Sequence, residues 1–219
     1  MHRLLFEKTG NAVWISHLDL MRLFQRSFKR AGLPLTHTQG FNPRPSVSIA
    51  LPLSVGVESV CELLDFELDG EQVDCDEICR RLNACLTDGV RVLAVYEQGK
   101  KIGGIALLNC QVNLEYDRGV PGGAVEALNG LFSKESLLVS KKTKSGLQEQ
   151  DIIPMIRKLE IAQPDSNHMI LDALICCQNP TLNPQQLVAA IERYLPEYAP
   201  DFARCKRLEI YDCDEIVFR

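Results

Sequence analysis

The sequence predicts an α+β protein built from two tandem ferredoxin-like units, with antiparallel sheets facing a cleft. Three observations carry this prediction. Setting aside one short entry strand, residues 1–98 read as β-α-β-β-α-β from their apolar periodicity and turn residues. The run Gln98-Gly99-Lys100-Lys101-Ile102-Gly103-Gly104 then has the composition of a linker. From residue 105 to 219 the same order begins again, with one extra hairpin. A chain of 219 residues has room for two units of about 100 residues each.

In the first unit, Arg3 to Lys8 reads as a strand, Thr9-Gly10-Asn11 as a turn, and Ala12 to Ile15 as a short strand leading into a helix. Ser16 is placed to cap that helix, and Asp19 complements the positive end of its dipole. Gly32 and Pro34 end it, because Gly accepts the left-handed conformation and Pro cannot continue the ladder. At about 100° per residue, Leu20, Met21, Phe24, Phe28 and Ala31 share one face. Arg22, Arg26, Lys29 and Arg30 share the opposite one. Ser46 to Leu51 is β-rich. Glu62 to Leu68 alternates, with Leu64, Phe66 and Leu68 on one face and Asp65 and Glu67 on the other. Asp74 caps a second helix running from Cys75 to about Leu86, stopped by Gly89, and Val90 to Tyr96 is the last strand.

The second unit opens with a strand from Ala106 to Tyr116 that alternates cleanly between apolar and polar positions. A short helix covers roughly Ala124 to Phe132. Leu137 to Lys142 and Gly146 to Ile152 flank Thr143-Lys144-Ser145 as a hairpin. Arg157 to Ala162 and Met169 to Cys177 are further strands. Asn183 caps and Pro184 opens a helix to Leu195, and Phe202 to Tyr211 closes the unit as a strand. The halves share this pattern and no residue-level repeat.

Composition narrows the class. With 46% hydrophobic and 24% charged residues the chain is an ordinary globular protein. No window has the roughly 18 uninterrupted apolar residues of a membrane span, and the N-terminus has no signal-peptide pattern. A cytoplasmic protein with no membrane partner is expected. The nine cysteines are an odd count without a C-x-x-C pair, which argues against both a disulfide framework and a metal or cluster site. The net charge of −5 hides an asymmetry: residues 1–50 hold seven Lys and Arg against Glu7 and Asp19. A basic patch on an acidic chain points to a localised anionic partner.

EKTG near the start, SHLDLMR, and QGFNPRP followed by LPLSVGVE resemble the bacterial radical-SAM-linked protein family, and KKTKSG and QDIIP in the second half fit as well. The resemblance implies a radical SAM protein as partner and assigns no reaction. Any iron–sulfur cluster then belongs to the partner, and no cofactor is expected on this chain. The tandem ferredoxin-like architecture is similar to the folds of tRNA pseudouridine synthases and CRISPR-repeat RNA endonucleases. Their signatures are missing: no Asp sits in an Arg-Thr-Asp context, and no glycine-rich C-terminal loop occurs.

The candidate site is the stretch from the basic helix to Pro45. Arg22, Arg26, Lys29 and Arg30 at helical spacing can follow a run of phosphates. Gln39 and Asn42 offer paired donors and acceptors for base edges, Phe41 a face for stacking, and Arg44 a bidentate fork. Pro43 and Pro45 fix two φ angles of this loop. Lys141, Lys142 and Lys144 form a second basic point in the other half. The expected function is noncatalytic: binding a structured RNA (a tRNA or rRNA) and presenting it to the radical SAM partner. Two other readings stand beside it. An RNA-processing or RNA-modifying enzyme would use His17 or His37 as general acid or base, the usual work of an imidazole side chain. A protein-docking module would set the basic helix against an acidic surface of the partner. No P-loop, G-x-G-x-x-G, H-E-x-x-H or G-x-S-x-G motif occurs.

Overall fold

The computed structural model describes all residues except Glu71, Gln98, Lys144 and Ser145, and leaves aside the side chains of Lys142 and Thr143. The chain is α+β and divides into two units, Met1–Gly104 with Phe218–Arg219, and Ile105–Val217. Among the described residues there are four α-helices, two in each unit.

The first unit runs β1 (His2–Lys8), α1 (His17–Arg30), β2 (Val47–Ile49), β3 (Glu58–Phe66), α2 (Cys75–Asn83) and β4 (Val90–Glu97). Its strands pair with one another antiparallel, in the order β4-β1-β3-β2. Both helices cover the same core. Leu20, Phe24 and Phe28 of α1 and Ile78 and Leu82 of α2 pack with Leu4, Phe6, Leu64 and Phe66 of the sheet. Phe24 meets Phe6 edge-on at 4.8 Å between ring centres, and Phe28 meets Phe66 at the same distance, geometries that add to plain burial.

Local chemistry sets the helix ends. The Asp19 amide donates to Ser16 Oγ at 3.2 Å, and the amides of Asp76 and Glu77 donate to the Asp74 carboxylate at 2.9 and 3.4 Å. The second helix is shorter than its apolar spacing predicts and ends at Asn83. There the Asn83 amide group takes over as a strand partner, accepting from the Val92 amide at 2.8 Å and donating to the Val92 carbonyl at 2.9 Å. Ala12 to Ile15 is not a strand. Gly10–Trp14 winds into a 3-10 turn through bonds such as Ile15 N–H to the Ala12 carbonyl at 3.0 Å. The neighbouring strand β1 cannot take up this segment, since it is already paired with β3 and β4. Gly89 lies against this turn at φ +81°, where a Cβ would stand 2.4 Å from the Thr9 carbonyl. Only glycine fits there.

The strand predicted over 62–68 starts earlier, at Glu58, and Asp65 is not on a wet face. Both faces of β3 are buried, and Asp65 meets Arg3 of β1 directly across the ladder. Arg3 is fully buried and donates to both carboxylate oxygens, Nε at 2.6 Å and Nη2 at 2.9 Å. The Phe218 ring lies 5.2 Å from its guanidinium carbon.

The second unit runs β5 (Leu107–Glu115), α3 (Ala124–Phe132), β6 (Leu138–Thr143), β7 (Gly146–Asp151), β8 (Ile156–Ala162), β9 (His168–Cys176), α4 (Gln185–Tyr194) and β10 (Phe202–Tyr211). Its main sheet is antiparallel in the order β10-β5-β9-β8, and β6 and β7 form a separate hairpin. Leu108, Cys110, Val112 and Leu114 of β5 are buried, as are Met169, Leu171, Ala173 and Ile175 of β9 and Leu187 and Ile191 of α4. Asn183 caps α4 by accepting from the Gln185 amide at 3.1 Å, while Gln186 Oε1 accepts from the Asn183 amide at 3.0 Å. The hairpin is held to α4: Arg193 pairs with Glu149 at 2.8 Å, and the Tyr194 hydroxyl donates to the Leu138 carbonyl at 2.9 Å. The cysteines are free thiols, five of them buried and only Cys213 exposed. No helix among the described residues is long and apolar enough to cross a membrane.

Candidate nucleic-acid interface

The segment from Leu33 to Pro45 leaves the end of α1 and folds back on itself. Leu35 bridges to Leu68, and His37 bridges to Pro45. The Thr36 carbonyl accepts from the Ser46 amide at 2.8 Å, and the Thr38 amide donates to the Arg44 carbonyl at 2.8 Å. The Arg44 amide returns a bond to the Thr38 hydroxyl at 3.0 Å. These bonds close a tip of five residues, Gln39 to Pro43, which Gly40 turns at φ +134°. An L side chain rarely takes that φ, so the glycine is a geometric requirement.

Phe41 stands at this tip with a relative exposure of 106%. A phenyl ring held fully in water by a closed loop contributes nothing to a core, and its faces are free for stacking. Gln39, Asn42 and Arg44 are exposed beside it. None of their side chains finds a hydrogen-bond or ionic partner among the described residues.

The basic face of α1 is exposed at Arg22, Arg26, Lys29 and Arg30, and the four are not equivalent. Arg22 is paired with Asp19 at 2.9 Å. The Ser16 hydroxyl and then the Arg22 guanidinium hold the Asp19 carboxyl below the usual carboxylate range. Arg30 is turned to the Cys85 carbonyl just past α2, which also accepts from Ser27 Oγ at 3.3 Å. Arg26 and Lys29 have no hydrogen-bond or ion-pair partner among the described residues. They are the open cations of this face. Thr87, from the loop after α2, joins Leu23, Arg26, Lys29 and Arg30 around one shallow hollow. Its distance in sequence from the basic helix hid that role.

Helix and loop meet at one place. Lys29 and Gln25 of α1 and His37 and Pro45 of the folded loop line a common recess. Gln25 precedes Lys29 by one helical turn, a relationship visible in the sequence only once Lys29 is known to face the recess.

The two histidines sit on different elements. His17 is the first residue of α1, half-buried, and its Nδ1 has no partner among the described residues. His37 is exposed on the folded loop, where it lines a recess with Gln25 and Lys29 of α1.

In the second unit the Lys141 ammonium donates to the Thr181 carbonyl at 3.2 Å and is thereby partly committed to the fold. The side chain of Lys142 and all of Lys144 lie outside the described residues. No group of three or more His, Cys, Asp and Glu able to hold a metal ion occurs among the described residues.

Among curated proteins no sequence matches this chain. Among solved structures, the chain is similar to one chain of a Cbf5-Nop10-Gar1 complex, with a TM-score of 0.52 at 6% identity. The match covers 95% of this chain and 48% of that one, so the protein spans about half the length of that neighbour. The likeness is one of fold. An unknown protein from Galdieria sulphuraria aligns over 94% of this chain and 96% of that one at 12% identity, with a TM-score of 0.27, too low to show a shared fold. The sequence profile of an uncharacterized protein family conserved in bacteria, DUF2344, matches residues 2–184, and the chain belongs to that family.

Proposed function

We propose that this protein is a noncatalytic RNA-binding subunit that presents a structured RNA to a radical SAM partner in the bacterial cytoplasm. The single observation that carries the reading is Phe41, fully exposed at the tip of a hydrogen-bonded loop. A base stacks on such a ring whatever its identity, and the pre-closed loop lowers the ordering cost of binding. Gln39, Asn42 and Arg44 offer base-edge and phosphate contacts beside it, and Arg26 and Lys29 extend the cationic track along α1. The strand orders β4-β1-β3-β2 and β10-β5-β9-β8 support reading both units as ferredoxin-like, the second with the β6–β7 hairpin inserted. The radical SAM partner rests on the EKTG, SHLDLMR and QGFNPRP motifs.

The test is a gel shift with total tRNA and fragments of rRNA, using the wild type and the double charge reversal Arg26→Glu, Lys29→Glu. Binding that falls with salt and disappears in the double variant is expected. Full RNA affinity in a folded double variant overturns the assignment of the surface.

A further inference from the structure

The recess between the end of α1 and the base of the folded loop has a volume of about 400 Å³, within the range of small-molecule sites. Its floor is apolar: Phe28, Leu33 and Leu35 are all buried. Pro34 and Pro45 form walls with rigid rings. Three polar side chains converge on the rim, Gln25, Lys29 and His37, and none finds a partner among the described residues. An apolar hollow edged by an amide, an ammonium and an imidazole matches a ligand that is flat and apolar in one part and anionic in another. The rim lies on the same stretch of surface as the Phe41 tip, which is reached from His37 and Pro45 through the paired strands of the loop.

Resting on the RNA-binding reading, we propose that this recess holds one nucleotide extruded from the bound RNA. The base enters between Pro34 and Pro45 over the Leu33–Leu35 floor. Its edge meets the Gln25 amide, which offers both a donor and an acceptor. Its 5′-phosphate lies at Lys29, with His37 as a second donor. Phe41 stacks an adjacent base, so the two positions together hold a single-stranded or bulged stretch and exclude a continuous duplex.

The experiment follows the methyl resonances of Leu33 and Leu35 in the full chain during titration with the four nucleoside 5′-monophosphates. The matching nucleosides and unfractionated tRNA are titrated in parallel. At least one monophosphate is expected to shift both leucines, its nucleoside to bind about tenfold more weakly, and tRNA to displace it. Lys29→Ala is expected to lose about the same factor, as the removal of a charge-assisted bond does. Leucine resonances unmoved by every nucleotide, in a sample that still binds tRNA, overturn the recess proposal and leave the RNA reading standing. Absence of both responses removes both. Nucleosides binding as tightly as monophosphates, or a nucleotide that tRNA fails to displace, also overturns the proposal.

Discussion

Thr38 and Arg44 face each other across the base of the Gln39–Pro43 tip and are joined twice, Thr38 N–H to the Arg44 carbonyl at 2.8 Å and Arg44 N–H to Thr38 Oγ1 at 3.0 Å. The second bond needs a hydroxyl. Thr38→Val keeps the shape and removes the acceptor. Both residues are exposed, so the loss of stability is expected to stay within about 1 kcal/mol, the net worth of one solvated hydrogen bond. The tip that carries Phe41 is loosened, and RNA affinity is expected to fall through the added ordering cost. Denaturant unfolding beside RNA titration reads both effects, and unchanged affinity contradicts the role given to the closed loop.

The Arg3–Asp65 pair is a different case, because neither partner can fall back on water. Asp65→Ala leaves a buried guanidinium uncompensated and is expected to cost about 3–5 kcal/mol of stability. Urea unfolding of the variant measures it. A loss below about 1 kcal/mol would mean that the pair behaves as a solvated surface bridge.

What was legible in the sequence is what local chemistry decides. Ser16, Asp74 and Asn183 cap their helices as their positions predict, and the Leu20-Phe24-Phe28 stripe is the buried face of α1. These features depend on neighbours within four residues. Arg3 and Asp65 are 62 residues apart, and each reads alone as an ordinary surface charge. The Ala12–Ile15 segment has strand-forming residues yet winds into a 3-10 turn beside β1, whose two edges are already taken by β3 and β4, a property of the sheet. In the site, the exposure of Phe41 follows from a proline-stiffened polar loop that offers no apolar neighbours. The commitment of Arg30 to the Cys85 carbonyl and the arrival of Thr87 beside Arg26 are set by how α2 packs against α1. No helical periodicity in residues 16–30 carries that information.

Glu77 supplies a pH signature. The Arg80 guanidinium bonds it at 2.7 and 2.8 Å and Arg81 at 2.6 Å, and together they bring its carboxyl from the ordinary 4.5 down to about 2. A folded-state value below the unfolded one stabilises the fold above the ordinary carboxylate range. That contribution is lost as pH falls from about 4.5 through about 2. An NMR titration of the Glu77 side-chain carbon is expected to show a midpoint near 2, returning toward 4.5 in the double variant Arg80→Ala, Arg81→Ala. A wild-type midpoint at 4.5 contradicts the bonding described for α2.

The central claim rests on Phe41, and Phe41→Ala tests it most directly, with Tm and RNA affinity measured on the same preparation. Truncating a buried phenylalanine costs about 3–5 kcal/mol of stability. With the ring fully exposed, Tm is expected to stay at the wild-type value. RNA binding is expected to weaken by about 1–3 kcal/mol, the worth of one base stacked on an aromatic ring. A variant that binds RNA as tightly as the wild type, or one that unfolds several degrees earlier, contradicts the account.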